Sequence, residues 1–158
     1  MAEELFSEAW LHEFVRNGNN GPTAREREEK LPNYWEAVAK QGATYNFPTG
    51  LILKAEPAKG YPQPLAALLP FQQGRVIGER LCSVQEASQQ EMVIQIAPSV
   101  YERVNAGEEE IGEAMMYRDL LLAKGDVATF FLCSYFIQEW FGFAMRRTAF
   151  RLPAMQTA

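Results

Sequence analysis

The sequence predicts an α+β domain, and three observations predict it. Helical spacing opens the chain, with Phe6, Trp10 and Phe14 recurring at i, i+4 and i+8. From residue 43 the texture changes to short apolar runs parted by proline and glycine. Helical signals return at residue 98 and are broken by one late apolar run, Leu120-Leu121-Leu122. Helices, then an antiparallel run of strands, then helices around a late strand make a layered fold with helices against one face of a sheet.

Each element has a local cause. Residues 5–17 form an amphipathic helix, with Leu11 and Val15 beside the aromatic stripe and Ser7 placed to accept from a free N–H at its start. The run from Asn17 to Pro22 stops it. Thr23 and Glu26 have the spacing of a capping box and open a charged helix over residues 24–30. After Pro32, Tyr34, Trp35 and Val38 resume an apolar stripe in a short helix ended by Gly42. Leu51-Ile52-Leu53 follows a Pro48-Thr49-Gly50 turn, and four prolines from Pro57 to Pro70 exclude helix there. Residues 65–71, 76–84 and 91–97 read as consecutive strands. Gln72-Gln73-Gly74 makes the first hairpin turn, and the polar stretch between Glu86 and Glu91 reads as another hairpin connection. In the third strand Met92, Ile94 and Ile96 alternate with Val93, Gln95 and Ala97, as on a strand with one buried face. Pro98-Ser99 starts a helix with Val100, Tyr101 and Val104 on its apolar side, and Asn105-Ala106-Gly107 ends it. The acids Glu108–Glu110 suit the start of a short helix that carries Met115 and Met116. Lys124-Gly125-Asp126 closes the last strand, with Asp126 as N-cap of a final helix over residues 127–145. The 158 residues are read as a single domain with a core of about 5–145 and a tail at 146–158.

Composition narrows the function. A net charge of −5 argues against nucleic acid, whose phosphates need a basic surface. The acidic start lacks the basic and apolar regions of an export signal, and two cysteines without a CxxC spacing suit a reducing compartment, so a cytoplasmic location is expected. Cys82 and Cys133 read as small buried apolar residues. His12 is the single histidine and reads as a surface residue, which excludes a histidine-based metal cage; no metal and no cofactor are expected. Phosphate-binding glycine loops, GxSxG and HExxH are absent from the sequence.

Residues 127–145 carry the functional argument. Fourteen of these nineteen are apolar or aromatic. At helical pitch Ser134, Gln138 and Gly142 form one narrow polar or small strip, with Glu139 at its edge. A helix on a sheet buries one side, so the other needs cover from a bound apolar ligand, a partner subunit, a bilayer or the remaining helices. A bilayer would hold Glu139 near its centre at a cost of about 2.5 kcal/mol or more, so stable membrane insertion is not expected. Simple burial under the helices at 5–17 and 34–41 is the plainest alternative.

The opening Phe6-Ser7-Glu8-Ala9-Trp10, and the succession from Val93 through Gly107, Ala114-Met115-Met116 and Leu120-Leu121-Leu122-Ala123-Lys124-Gly125-Asp126, resemble the sterol carrier protein-2 (SCP2) sterol-binding domain family. The family usually has Gly-Lys before the last strand where this chain has Tyr117-Arg118-Asp119. The resemblance implies a five-stranded, largely antiparallel sheet and an apolar tunnel between sheet and C-terminal helix. It implies non-catalytic binding or transfer of lipids, fatty acyl chains or sterol-like molecules.

For such a carrier, Phe130, Phe131, Tyr135 and Trp140 are the expected cavity walls. Met115 and Met116 are the adaptable lining, and Ser134 and Gln138 the polar contacts for a head group. Two other readings stay open: a homodimeric interaction module that buries the same helix, and a small isomerase- or cyclase-type enzyme using Glu139 or Tyr135.

Overall fold

The structure, a computed structural model, describes residues 2–153. Strand β2 (Pro48–Leu53) lies at the centre of a mixed sheet. It pairs antiparallel with β3 (Leu65–Gln72) and parallel with β6 (Met92–Ile96). β7 (Leu120–Lys124) runs antiparallel to β6 and forms one edge. Along the far side of β3 run two short strands, β4 (Arg75–Val76) and β5 (Arg80–Cys82). They are one expected strand broken at Gly78, whose φ of 85° turns the chain away from the ladder. The turn before β4 has Gln73 and Gly74 at φ 51° and 77°, the left-handed pair that a tight hairpin requires. The sheet is therefore mostly antiparallel, as expected, with one parallel pair at its centre.

That parallel pair corrects one expectation. The stretch between Glu86 and Glu91 is not a hairpin turn. Residues Val84–Ser88 form helix α4, which carries the chain across the back of the sheet into β6. Ser83 caps it by accepting from the Glu86 amide at 3.1 Å, and the Arg80–Glu86 ion pair ties its start to β5. Ala87 then lies over Gly50, with Ile52, Ala66 and Val93 around it. A Cβ on Gly50 would come within 2.2 Å of the Ala87 carbonyl oxygen, so only glycine admits this crossing. Val93 is consequently buried too, and β6 has two covered faces where the alternation pattern predicts one.

The main helical layer packs on the other face. It contains α1 (Glu8–Asn19), α2 (Ala24–Glu28), α3 (Pro32–Ala43), α5 (Pro98–Asn105), α6 (Ile111–Met116), α7 (Val127–Leu132) and α8 (Ser134–Arg147). Ser7 and the Thr23–Glu26 capping box stand where the sequence puts them. Gly42 does not end α3, which runs on to Ala43. Its missing side chain instead admits the Phe136 ring, which a Cβ would approach at 2.9 Å. The Trp140 indole lies on Gly18 of α1 in the same way.

The final helix is two helices. At Cys133 (φ −108°, ψ 13°) the amide is shared between the Thr129 and Phe130 carbonyls, and α8 starts at Ser134. Gln41 of α3 fixes the restart, its Oε1 accepting from the Phe136 amide at 3.1 Å. The tail expected from residue 146 also differs: α8 continues to Arg147, and β8 (Phe150–Arg151) pairs in parallel with β1 (Glu3–Glu4). Tyr61 pins this pair, its hydroxyl donating to the Leu5 carbonyl at 2.7 Å. Among the described residues no helix is long and apolar enough to cross a membrane.

Candidate functional site

Aromatic rings pack between the sheet and α8. Trp140 packs against Phe71 (ring centroids 4.9 Å) and Phe14 (5.7 Å), and Phe136 against Tyr45 (5.6 Å). The Trp140 Nε1–H donates to Asn19 Oδ1, and Asn19 in turn holds both backbone groups of Val76. On the far side of α8, Phe143 stacks on Trp35 of α3. Apart from the exposed Tyr135, the large apolar side chains of α8 are covered by the protein itself.

The hollow lies one helix earlier. A cleft of about 530 Å³ opens at the β7 edge of the sheet, a size in the ordinary range for small-molecule sites. Its floor is Leu120, Leu121 and Leu122 of β7. Gly112, Met115 and Met116 of α6 form one wall, and Val127, Phe130 and Phe131 of α7 form the opposite one. Ser134 and Gln138 of α8 close the inner end, and Arg118 stands in the α6–β7 turn. β7 is an edge strand, and α7 ends at Cys133 before α8 begins; the cleft lies beside both. Asp126 fixes the start of α7, accepting from the Ala128 amide at 3.0 Å and the Thr129 hydroxyl at 2.9 Å.

Six of the eight residues expected from the sequence therefore converge on one cleft: Met115, Met116, Phe130, Phe131, Ser134 and Gln138. Two do not. Trp140 belongs to the aromatic core just described, because it lies two residues and roughly 200° round α8 from Gln138. Tyr135 points out to the Tyr34 ring, 5.5 Å away. The expectation is a tunnel beneath α8; the apolar hollow is an open cleft beside it. The β7 leucines, Gly112, Arg118 and Val127 complete the lining beyond the expected set. The leucines carry a signal of their own: three consecutive apolar residues on a strand place apolar side chains on both faces of the sheet.

The cleft rim is greasy and open. Phe131 is 66% exposed and Leu132 73%, and Met116, Tyr117 and Val127 are also exposed. Phe130, by contrast, is buried at 6%. Among the described residues Arg118 is the single charged side chain lining the cleft.

A second hollow, about 430 Å³, lies on the other side of Gly112 and Gln138, which line both. Its walls are charged and mostly neutralised. Lys30 reaches Glu139 at 2.7 Å, Arg103 reaches Glu109 at 3.1 Å, and Arg147 pairs with Glu26. Tyr34 also donates to Glu139, and burial together with that carboxylate pushes the phenol above its ordinary range. Glu139 faces this polar hollow, not the apolar cleft. Arg146 folds back over Gly142, so the Ser134–Gln138–Gly142 strip extends to it and leads from the apolar cleft into the polar hollow. His12 sits on the surface between Glu8 (3.6 Å) and Glu79 (3.1 Å), and the Glu79 hydrogen bond raises its pKa. Cys133 is buried and Cys82 half-buried; both are free thiols.

Fold and cleft together define an α+β domain with an apolar hollow at the edge of a mixed sheet. No family model matches the chain, and no curated protein matches it. Solved structures do. A crystal structure of sterol carrier protein 2 superposes with a TM-score of 0.70 at 25% identity, over 92% of this chain and 100% of that one. The solution structure of a conserved hypothetical protein from Thermus thermophilus, described as possibly a sterol carrier protein, gives 0.68 at 22% identity, over 98% and 96%. The chain is an SCP2-like domain.

Proposed function

We propose that this domain binds and carries an apolar ligand, a lipid, fatty acyl chain or sterol-like molecule, in the cleft between β7, α6 and α7, without doing chemistry on it. One observation carries the reading: a 530 Å³ hollow walled by leucine, methionine and phenylalanine from three elements. Each methylene moved there from water contributes about 0.8 kcal/mol, so a long chain gains enough to offset the cost of immobilising it. The likeness to sterol carrier protein 2 supports the same class of ligand. A carrier needs no acid or base in the cleft, and the two groups considered for catalysis lie outside it, Glu139 held by Lys30 and Tyr34, Tyr135 on the surface. Two unpaired thiols suit a cytoplasmic location.

The exposed rim favours one competing reading, a homodimer seam over Met116, Phe131 and Leu132. The test is native mass spectrometry of the purified protein, followed by solvent extraction and sedimentation. A monomer with an extractable apolar molecule supports the carrier. A stable dimer that carries nothing and takes up no added apolar dye refutes it.

A further inference from the structure

Two carboxylates meet at one guanidinium beside α6. Arg103 of α5 donates from Nε to Glu109 Oε2 at 3.1 Å, and its Nη2 stands 3.5 Å from Asp119 Oδ2. The Nε–H and one Nη2–H point from the same edge of the fork, an edge that suits both oxygens of a single carboxylate. Here each acid supplies one oxygen, so the two carboxyl groups are brought within hydrogen-bonding reach of each other. Like charges that share a site oppose each other, so one proton between them is favoured. Glu109 is buried, its side chain 9% exposed, and Asp119 is half-buried. Burial and the Asp119 carboxyl push the Glu109 acid above its usual range, and Arg103 opposes them. Glu109 also borders the polar hollow with Glu26, Glu29, Lys30, Glu110, Glu139 and Arg146. Of these, Glu26 and Glu139 are taken by Arg147 and Lys30, and Glu29, Glu110 and Arg146 stand in water, which screens them.

The pair brackets α6. Glu109 lies just before the helix and Asp119 just after it, and between them Gly112, Met115 and Met116 form a wall of the apolar cleft. Glu109 is fixed to α5, its amide donating to the Arg103 carbonyl at 3.3 Å. Asp119 sits at the end of the α6–β7 turn, where Arg118 has φ 62°, a strained left-handed backbone that needs a hold from outside the turn. We propose that Glu109 and Asp119 form an acid-closed clasp on the α6 wall of the cleft. At acid pH one proton from solvent lies between the carboxyls: Glu109 donates its O–H to Asp119, and Arg103 turns its charge on Asp119 alone. At higher pH that proton leaves, two carboxylates compete for one edge of the guanidinium, and the Asp119 end of the wall loosens. A raised acid favours its protonated form in the fold, so the added hold is fully present below the ordinary glutamate range and is lost as pH rises through the raised folded value. The consequence for cargo rests on the carrier reading: an apolar ligand leaves slowly when the clasp is closed and faster when it is open.

Hydrogen exchange of the whole protein, corrected for the intrinsic pH dependence of amide exchange, reads the clasp, and the release rate of Nile red reads the cleft. Both are followed from about pH 4.5 to 8, across and above the ordinary carboxylate range. In the wild type, protection of residues 111–119 is expected to fall roughly fivefold from acid to neutral pH, the size of one partly exposed charged contact, with Nile red release quickening in step. Glu109→Gln keeps a donor for Asp119 at every pH, so protection stays at the acid level and both profiles go flat. Asp119→Asn, at a more exposed position, offers its amide to Glu109 and gives the same flat profiles, and it serves if the buried substitution does not fold. His12 also has a raised pKa, but it sits beside Glu79 at the β5 side of the sheet, and neither variant touches it. Wild-type protection that ignores pH, or a pH profile that survives in a folded variant, overturns the clasp. Protection that responds while Nile red release does not overturns its control of the cleft. A wild type that takes up no Nile red ends the carrier reading and leaves the exchange result to decide the clasp.

Discussion

Truncating Phe131 to alanine separates ligand binding from folding. In the free protein the ring is 66% exposed, so its loss removes little packing. Substitutions at such positions change stability by about 0.5 kcal/mol or less, and alanine is the better helix former for α7. A ligand chain lying in the cleft would cover the exposed two-thirds of the ring. Complete burial of a phenylalanine is worth about 1.5–3 kcal/mol, so two-thirds of it corresponds to about 1–2 kcal/mol. At 1.4 kcal/mol per decade, that is a loss of about 5- to 30-fold in affinity. Its neighbour is the control. Phe130 is buried at 6%, and Phe130→Ala leaves a hole expected to cost about 3–5 kcal/mol of stability. Dye displacement reads the first effect and thermal unfolding the second. An unchanged ligand affinity in Phe131→Ala, with the ring removed and the fold intact, would falsify the position of the chain. A shift from dimer to monomer in that variant would instead favour the seam.

Two further outcomes test the frame that holds the cleft. Gly50→Ala drives a methyl to within 2.2 Å of the Ala87 carbonyl, so α4 must lift from the sheet; a loss of about 1–3 kcal/mol in chemical denaturation is expected, and a neutral effect would refute the close crossing. Tyr45 is buried, and burial pushes its pKa up to about 12 from 10.0, with Thr49 opposing. A folded-state pKa above the unfolded one means the stability is fully present below pH 10 and is lost as pH rises towards 12. The expected loss is about 3 kcal/mol over that window, and Tyr45→Phe should flatten that part of the profile. An identical alkaline profile in the variant would exclude Tyr45 as a source.

Much of the architecture is legible in the sequence because its signals are local. Ser7, Thr23–Glu26 and Asp126 are caps whose chemistry acts within three residues, and all three start helices as expected. What the sequence hides depends on distant partners. Ser83 and Glu86 have the spacing of a helix start, yet the stretch reads as a turn because the burial of α4 comes from Gly50 and Val93 across the sheet. Gly42 looks like a helix stop and is a contact surface for Phe136, almost a hundred residues away. The β1–β8 pair joins two dipeptides from opposite ends of the chain, with no periodicity to betray it.

The same distinction explains why only part of the site is readable from the chain. Residues 127–145 read as one uninterrupted helix too oily for a single sheet to cover. For α8 the excess is absorbed inside the protein: Trp140 and Phe136 lie on glycines of α1 and α3, and Phe143 lies on Trp35. For α7 it is not, and Phe131 and Leu132 remain in water. The break at Cys133 divides the two parts. Phe130 and Phe131 of α7 line the same cleft as Met115 and Met116 of α6 and the β7 leucines. No residue at the break advertises it, since Cys133 is neither proline nor glycine, and the contacts that Gln41 makes with Phe136 and Cys133 come from another helix. The apolar surplus in the sequence therefore marks a binding surface only where tertiary contacts release it. Gln41→Ala tests this directly: loss of the anchor at Phe136 should loosen the junction of α7 and α8 and lower Nile red uptake, whereas uptake at the wild-type level would show that the cleft does not depend on that contact.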